Sequence, residues 1–302
     1  MSSTSLGPQS VFDDLDDRIG NDPASAVLYV TRMLRPENQP GRRLRMLGYL
    51  ISANKNLGRR DAVEKAISEG LAIIESAEKT GTTGRSGLSR LDRAEFFYRQ
   101  VDYYSNIESW IEVAQCLNEG LAMTELPEKP PTSPWGRTQH RRRCYLRALL
   151  LFYYAELASH RCRPIHAIKI LEEAFFLIPK SHRQTRKIKR KAYDRSRLSM
   201  ISLLVNVLTT HSKTLPSDMT VLESLLVDNP ELPAIGRAQL AKGRAVIALR
   251  RRQPEEAAQA LVEALDALYQ AKAWKSYEET LEELAKIEPC RAREWKVKAV
   301  FF

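Results

Sequence analysis

The sequence predicts an all-α fold, a solenoid of antiparallel helix hairpins, on the basis of three observations. Apolar residues recur at helical spacing along most of the 302 residues, whereas the two-residue alternation typical of β-strands is almost absent. Glycine and proline, with 13 and 15 residues, lie mainly between these periodic segments. A short pattern also recurs along the chain, as expected of stacked hairpins that bury their faces against one another.

Helix boundaries follow from where each apolar pattern begins and stops. The first helices of five pairs are predicted near residues 42–56, 92–105, 137–160, 184–211 and 234–252, and their partners near 60–78, 108–125, 163–178, 218–228 and 254–271. One more helix is predicted near 275–287. We expect residues 1–10 to be a disordered leader, residues 11–288 to be the helical-repeat domain, and residues 289–302 to be a C-terminal tail or cap.

The predicted second helices share an internal repeat. Residues 66–73 read AISEGLAI and residues 116–123 read CLNEGLAM, while ILEEAFFL at 170–177 and ALVEALDA at 260–267 have the same form. Each segment holds a small residue, preceded seven positions earlier by another small or β-branched one. These pairs are Val63 and Gly70, Val113 and Gly120, Ala167 and Ala174, and Ala257 and Ala264. Such spacing allows neighbouring helices to approach closely.

The third of these units resembles a tetratricopeptide repeat. Ala167, Leu171, Ala174 and Pro179 fit the alanine, large apolar, alanine and proline positions of that family's second helix. Gly243 stands where the family has glycine, in the last clear unit. The resemblance implies a right-handed α-solenoid in which first helices line a concave groove and second helices pack outside it.

The resemblance covers roughly residues 42–287. The first two units keep the pattern less well, because their helices are longer than the family's repeat of about 34 residues allows. The chain therefore looks like a degenerate, long-helix member of the tetratricopeptide superfamily. An irregular helical bundle is the alternative, since other helix-hairpin arrays share the small-residue spacing.

Charge divides between the two sets of helices. The chain has a formal net charge of +10, which favours anionic partners. The predicted first helices carry 24 basic and 5 acidic residues, whereas the predicted second helices carry 4 basic and 18 acidic residues. If the first helices line one groove, that groove is positive and the outer wall is negative.

The candidate binding residues belong to three basic clusters on predicted first helices. Arginine forks grip carboxylates and phosphates through paired, charge-assisted hydrogen bonds. The candidate partner-binding residues are Arg141, Arg142, Arg143, Arg147, Arg186, Lys187, Arg190, Lys191 and Arg244. Basic faces that merely keep a helix in solution are the plainer interpretation of any one cluster.

Three functions are compatible with a basic groove. The first is a non-catalytic scaffold or adaptor for protein–protein interaction, whose groove binds an acidic peptide or protein segment. The second is nucleic-acid binding, to RNA or DNA, through contacts of the same groove with phosphates. The third is a peptide-sensing regulator that acts through a protein partner.

Motifs of catalysis and cofactor binding are missing from the sequence. The GTTGRSG loop at 81–87 lacks the lysine of a P-loop, and no nucleophile or zinc-protease motif occurs. The run from His160 to His166 lacks paired metal-ligand spacing, and its arginines oppose a cation. We therefore expect no enzyme activity, no cofactor and no metal. Four cysteines without a CxxC pair, no apolar leader and no membrane-length segment favour a cytoplasmic protein.

Overall fold

The computed structural model describes residues 15–16, 18–81, 88–178, 187–211 and 234–300. This part of the chain is all-helical and contains no β-strand, as predicted. Its helices are α1 (Pro23–Leu34), α2 (Pro40–Asn56), α3 (Arg60–Lys79), α4 (Arg90–Asn106), α5 (Trp110–Met123), α6 (Pro134–His160), α7 (Pro164–Leu177), α8 (Lys187–Thr210), α9 (Ala234–Arg250), α10 (Pro254–Gln270), α11 (Trp274–Ile287) and α12 (Pro289–Val300).

The predicted helix pairs are confirmed to within about three residues at most ends, a margin usual for sequence-based boundaries. The predicted helix near 218–228 lies outside the described residues, as does the predicted leader at 1–10. The predicted tail or cap at 289–302 is helical over Pro289–Val300, and α12 packs against α11. The Tyr277 hydroxyl of α11 donates a 2.8 Å hydrogen bond to the Trp295 carbonyl of α12.

Tertiary contacts divide the chain into two compact units. Unit 1 comprises residues 1–157 and 176–193, and unit 2 comprises residues 158–175 and 194–302. In unit 1, α2 packs against α1, α3 and α4, and α4 packs against α5, around a core of residues such as Leu47, Phe96 and Leu117. In unit 2, each of α9, α10 and α11 packs against the next helix along the chain.

Proline begins half of these twelve described helices. The first residue of α1, α2, α6, α7, α10 and α12 is proline. The first N–H of a helix has no partner within the helix, so proline loses nothing there, and its fixed φ suits the helical backbone. The prolines that separate the apolar segments in the sequence are therefore helix starts as well as breaks.

Five helix pairs are joined by the same tight turn. In the α2–α3 turn, Arg59 N–H donates to the Asn54 carbonyl at 2.9 Å, and Gly58 N–H donates to the Lys55 carbonyl at 3.0 Å. This arrangement closes a helix through one residue in the left-handed region. The residues at that position are Gly58, Glu108, Cys162, Arg252 and Lys272, with φ between 55° and 68°. Only the first of them is glycine.

The repeated small residues are buried where helices meet, as the internal repeat predicts. Val63, Val113, Ala167, Ala174, Ala257 and Ala264 are all 0% exposed. A Cβ atom added at Gly70 would lie 2.1 Å from the Phe96 ring of α4, and one added at Gly120 would lie 3.0 Å from the Leu150 side chain of α6. Each glycine thus opens a place on a second helix for a large side chain of the following first helix.

None of the described helices is both long enough and apolar enough to cross a membrane.

Candidate binding surface

The 27-residue helix α6 presents the largest group of candidate residues. Leu146, Leu150 and Leu157 are buried and attach the helix to unit 1. At its start, the Ser133 hydroxyl accepts a hydrogen bond from Gly136 N–H at 3.1 Å, which caps the first turn. The cap and the buried leucines fix the rotation of α6, and this rotation decides where its five arginines lie.

Arg142 lies in an ion-pair network that links three first helices. Its guanidinium donates to Glu95 and, at 3.1 Å, to Asp92, both on α4. From the opposite side, Arg45 of α2 lies 3.6 Å from Glu95 and 3.9 Å from Asp92. Arg45 and Arg142 together thus balance the negative charges of Asp92 and Glu95. We call Arg45, Asp92, Glu95 and Arg142 the unit 1 ion-pair network.

Glu95 is the most deeply buried member of the network, with 9% exposure. Burial by itself raises the pKa of Glu95, but Arg45, Arg142 and Arg99 outweigh it and lower the pKa from an ordinary 4.5 to about 2. Glu95 therefore stays ionised at neutral pH. The same pairing raises the pKa of Arg142 despite its burial, so both partners remain charged.

A second link joins the same helices near their other ends. Lys55 of α2 lies 2.6 Å from one carboxylate oxygen of Asp102 on α4, and the Tyr153 hydroxyl of α6 donates to the other oxygen at 2.6 Å. Burial and the nearby Asp102 raise the pKa of Tyr153, so its phenol keeps the proton that it donates. The charged and hydroxyl groups of Lys55, Asp102 and Tyr153 therefore have their partners within unit 1.

Arg99 of α4 is also compensated by its own chain. Its guanidinium lies 4.8 Å from the centre of the Tyr49 ring and 5.4 Å from that of Tyr98, within the range of cation–π attraction. Asp16, from the acidic segment that precedes α1, lies 2.7 Å from Arg99. Asp16 therefore contacts a first helix.

Four other arginines of α6 leave a surplus of positive charge. We call Arg137, Arg141, Arg143 and Arg147 the α6 arginine strip. Arg137 and Arg141 lie one helical turn apart and are exposed, while Arg143 and Arg147 are one turn apart and half-buried. The helix has a single acidic residue, Glu156, near its other end, where it accepts a 2.6 Å hydrogen bond from Ser105.

Three members of the strip, Arg137, Arg141 and Arg143, keep their positive charge. Arg137 donates to the Thr132 carbonyl, and Arg143 donates to the Glu125 carbonyl at 3.5 Å. Carbonyl oxygens carry no formal charge, so neither contact neutralises a guanidinium. Arg141 forms neither an ion pair nor a hydrogen bond with any described residue.

In unit 2, the candidate Arg244 of α9 is paired with the neighbouring helix. It lies 2.7 Å from Glu263 of α10, and Lys242 lies 3.4 Å from Glu283 of α11. Both members of the Arg244–Glu263 pair are nearly half exposed, so the pair contributes little to stability.

The four remaining candidates lie where the structure describes no side chain. Lys187, Arg190 and Lys191 belong to α8, whose backbone alone is described at these positions. Arg186 lies outside the described residues.

Ion pairs within the chain explain part of the separation of charge between first and second helices. Basic first helices face acidic groups of their own chain, as in the pairs Arg43–Glu69 and Arg244–Glu263, where a first helix meets its second helix. The sequence shows the excess of each sign but not which charges meet. The candidate binding residues chosen from the sequence did not include Arg137. This residue stands one helical turn before Arg141, a spacing that places both on one face.

No family model matches this chain, and neither a curated protein nor a solved structure gives a significant match.

Proposed function

We propose that this chain is a non-catalytic scaffold that binds an acidic peptide or protein segment through the α6 arginine strip. The proposal extends to the architecture: a right-handed α-solenoid of tetratricopeptide-like hairpins, in a cytoplasmic protein that acts through its partners. Packing of each helix against its neighbours in sequence, five equivalent tight turns and buried small residues between hairpins support a repeat architecture.

The single observation that carries the function is the uncompensated charge of Arg137, Arg141 and Arg143 in the strip. These three guanidiniums lie within seven residues of one well-packed helix, and residues 137–147 contain no acidic side chain. Arg142, in contrast, is held by Asp92 and Glu95. Arg137 and Arg141 are exposed one helical turn apart, so they match neighbouring carboxylates of an acidic segment and need little reorganisation on binding.

The test is a fluorescence-anisotropy titration of the whole chain with a labelled glutamate-rich peptide and, for comparison, a glutamine-rich peptide of equal length. The glutamate-rich peptide is expected to bind and the glutamine-rich one to fail. Replacing Arg137 and Arg141 by glutamate should weaken binding about tenfold or more. Affinity should fall as salt is raised, because exposed charges are screened.

A matched control uses two exposed lysines elsewhere. Lys65 of α3 and Lys275 of α11 form no ion pair within the described residues, and their replacement by glutamate changes the net charge by the same amount. Equal weakening by both double variants would show a response to net charge alone and would contradict the proposal. Equal binding of the two peptides would contradict it as well.

Nucleic acid is the other candidate that the same titration addresses. Labelled single-stranded RNA and duplex DNA are added as separate probes at low and physiological salt. Tighter binding of either nucleic acid than of the glutamate-rich peptide, with a steep salt dependence, would replace the scaffold proposal by nucleic-acid binding.

A further inference from the structure

An open cleft lies in unit 2, beside the turn that joins α6 to α7. Its volume is about 680 Å³, within the range of small-molecule binding sites. One wall comes from the turn and from the first residues of α7, and His211, which follows α8, lines it as well. Parts of the chain more than forty residues apart therefore converge on one concavity.

The polar lining of the cleft is basic or titratable. Arg163, His166 and Lys169 line it from the turn and α7, together with His211. Among the residues that the structure describes, no acidic side chain lines the cleft. Arg163 and Lys169 are exposed, so both charged groups are accessible to a ligand from solvent. Such a lining attracts anions and opposes metal cations.

The remaining surface of the cleft is apolar. Pro164 and Ile165 begin α7 and line the cleft, and Ile165 is 48% exposed although it is a large aliphatic residue. A ligand that covers this side chain gains the free energy of removing apolar surface from water. An inorganic anion offers no such surface.

We infer that this cleft binds a small organic anion whose phosphate or carboxylate group contacts Arg163 and Lys169. The apolar body of the ligand packs on Pro164 and Ile165. Arginine forms paired hydrogen bonds with either head group, and the lysine ammonium adds a compact charge beside it.

This cleft is a different surface from the α6 arginine strip. Its residues belong to unit 2, whereas the strip belongs to unit 1. The inference does not depend on the proposed function, and the failure of either leaves the other standing.

Isothermal titration calorimetry of the intact chain tests the inference, with phenyl phosphate and benzoate as probes. One of these two anions is expected to bind in a saturable one-to-one manner, and the comparison shows which head group is preferred. Phenol, which lacks a charge at neutral pH, and inorganic phosphate, which lacks an apolar body, are expected to bind at least tenfold more weakly. Replacing Arg163 and Lys169 together by alanine should weaken binding roughly tenfold or more. The control Lys275→Ala alters an exposed cation of the same unit that does not line the cleft, and it should leave binding unchanged.

A thiol in the cleft locates the bound anion. Cys162 lines the cleft and is exposed, and Cys290 is exposed but does not line it. Saturating anion is expected to slow the alkylation of Cys162 by iodoacetamide, a neutral reagent, without slowing that of Cys290. Absence of saturable binding at millimolar probe, equal affinity for inorganic phosphate and phenyl phosphate, or unchanged binding by the double alanine variant would overturn the inference.

Discussion

Glu95 is the residue whose ionisation bears most directly on the stability of unit 1. Arg45 and Arg142 approach it from two helices, and its pKa falls to about 2 although burial acts in the opposite direction. A buried carboxylate between two arginines contributes to stability only while it is charged. Removing it also takes away one of the negative charges that pair with Arg45 and Arg142.

The substitution Glu95→Gln tests this account. Because the folded-state pKa is depressed from 4.5, the stabilisation by Glu95 is fully present above about pH 4.5 and is lost as the pH falls through about 2. At pH 7 the variant should have a free energy of unfolding about 3 kcal/mol lower than the unaltered chain, by urea denaturation. The difference should shrink as the pH approaches 2. A difference that stays constant between pH 7 and pH 2 would contradict the assignment.

Backbone conformation gives a second prediction at single residues. Lys272 has a φ of 55° in the α10–α11 turn, a conformation that glycine adopts without steric strain. The substitution Lys272→Gly should therefore stabilise unit 2 by roughly 1 kcal/mol, measured by denaturation. Lys272→Ala is the control, because it removes the side chain beyond Cβ but keeps the strain. An equal gain for alanine and glycine would show that the side chain, not the backbone, is the source.

At the scale of helices, two glycines of the repeat differ in how much space surrounds them. An added Cβ would lie 2.1 Å from the Phe96 ring at Gly70 but 3.0 Å from Leu150 at Gly120. Phe96 is 0% exposed and has little room to move, so Gly70→Ala should lower the free energy of unfolding by about 2 kcal/mol. Gly120→Ala should change it by less than about 1 kcal/mol, because helix propensity offsets the crowding. Equal effects would contradict a specific fit of Phe96 against Gly70.

The sequence predicted α2 to α11 well because apolar residues recur at helical spacing in each and a proline or a turn marks its end. It predicted the close approach at Gly70 and Gly120 because small residues recur there at a fixed spacing. It did not predict the shared turn geometry. Of the five residues with positive φ in these turns only Gly58 is a glycine, while Glu108 and Arg252 give no local signal of a left-handed conformation.

At the scale of the whole molecule, basic and acidic helices form ion pairs with one another, in addition to any contact with a partner. The sequence predicted which helices are basic, because this needs only a count. The sequence could not show that Arg142 forms ion pairs within the chain whereas Arg141, its neighbour in the chain, is exposed. Arg142 and Asp92 are 50 positions apart in the sequence, and their pairing depends on how α6 packs against α4. One of two adjacent arginines is therefore structural, and the other remains exposed.

This contrast is the central claim, and a comparison of Arg141→Gln with Arg142→Gln tests it most directly. Each variant removes one positive charge, and each is titrated with the labelled glutamate-rich peptide in parallel with urea denaturation. Arg142→Gln should lower the free energy of unfolding by about 2 kcal/mol or more, since it breaks a largely buried pair, while the folded variant keeps its affinity for the peptide. Arg141→Gln should leave stability within about 0.5 kcal/mol and weaken peptide binding several-fold. Loss of peptide binding by Arg142→Gln alone, or a loss of stability by Arg141→Gln equal to that of Arg142→Gln, would contradict the account.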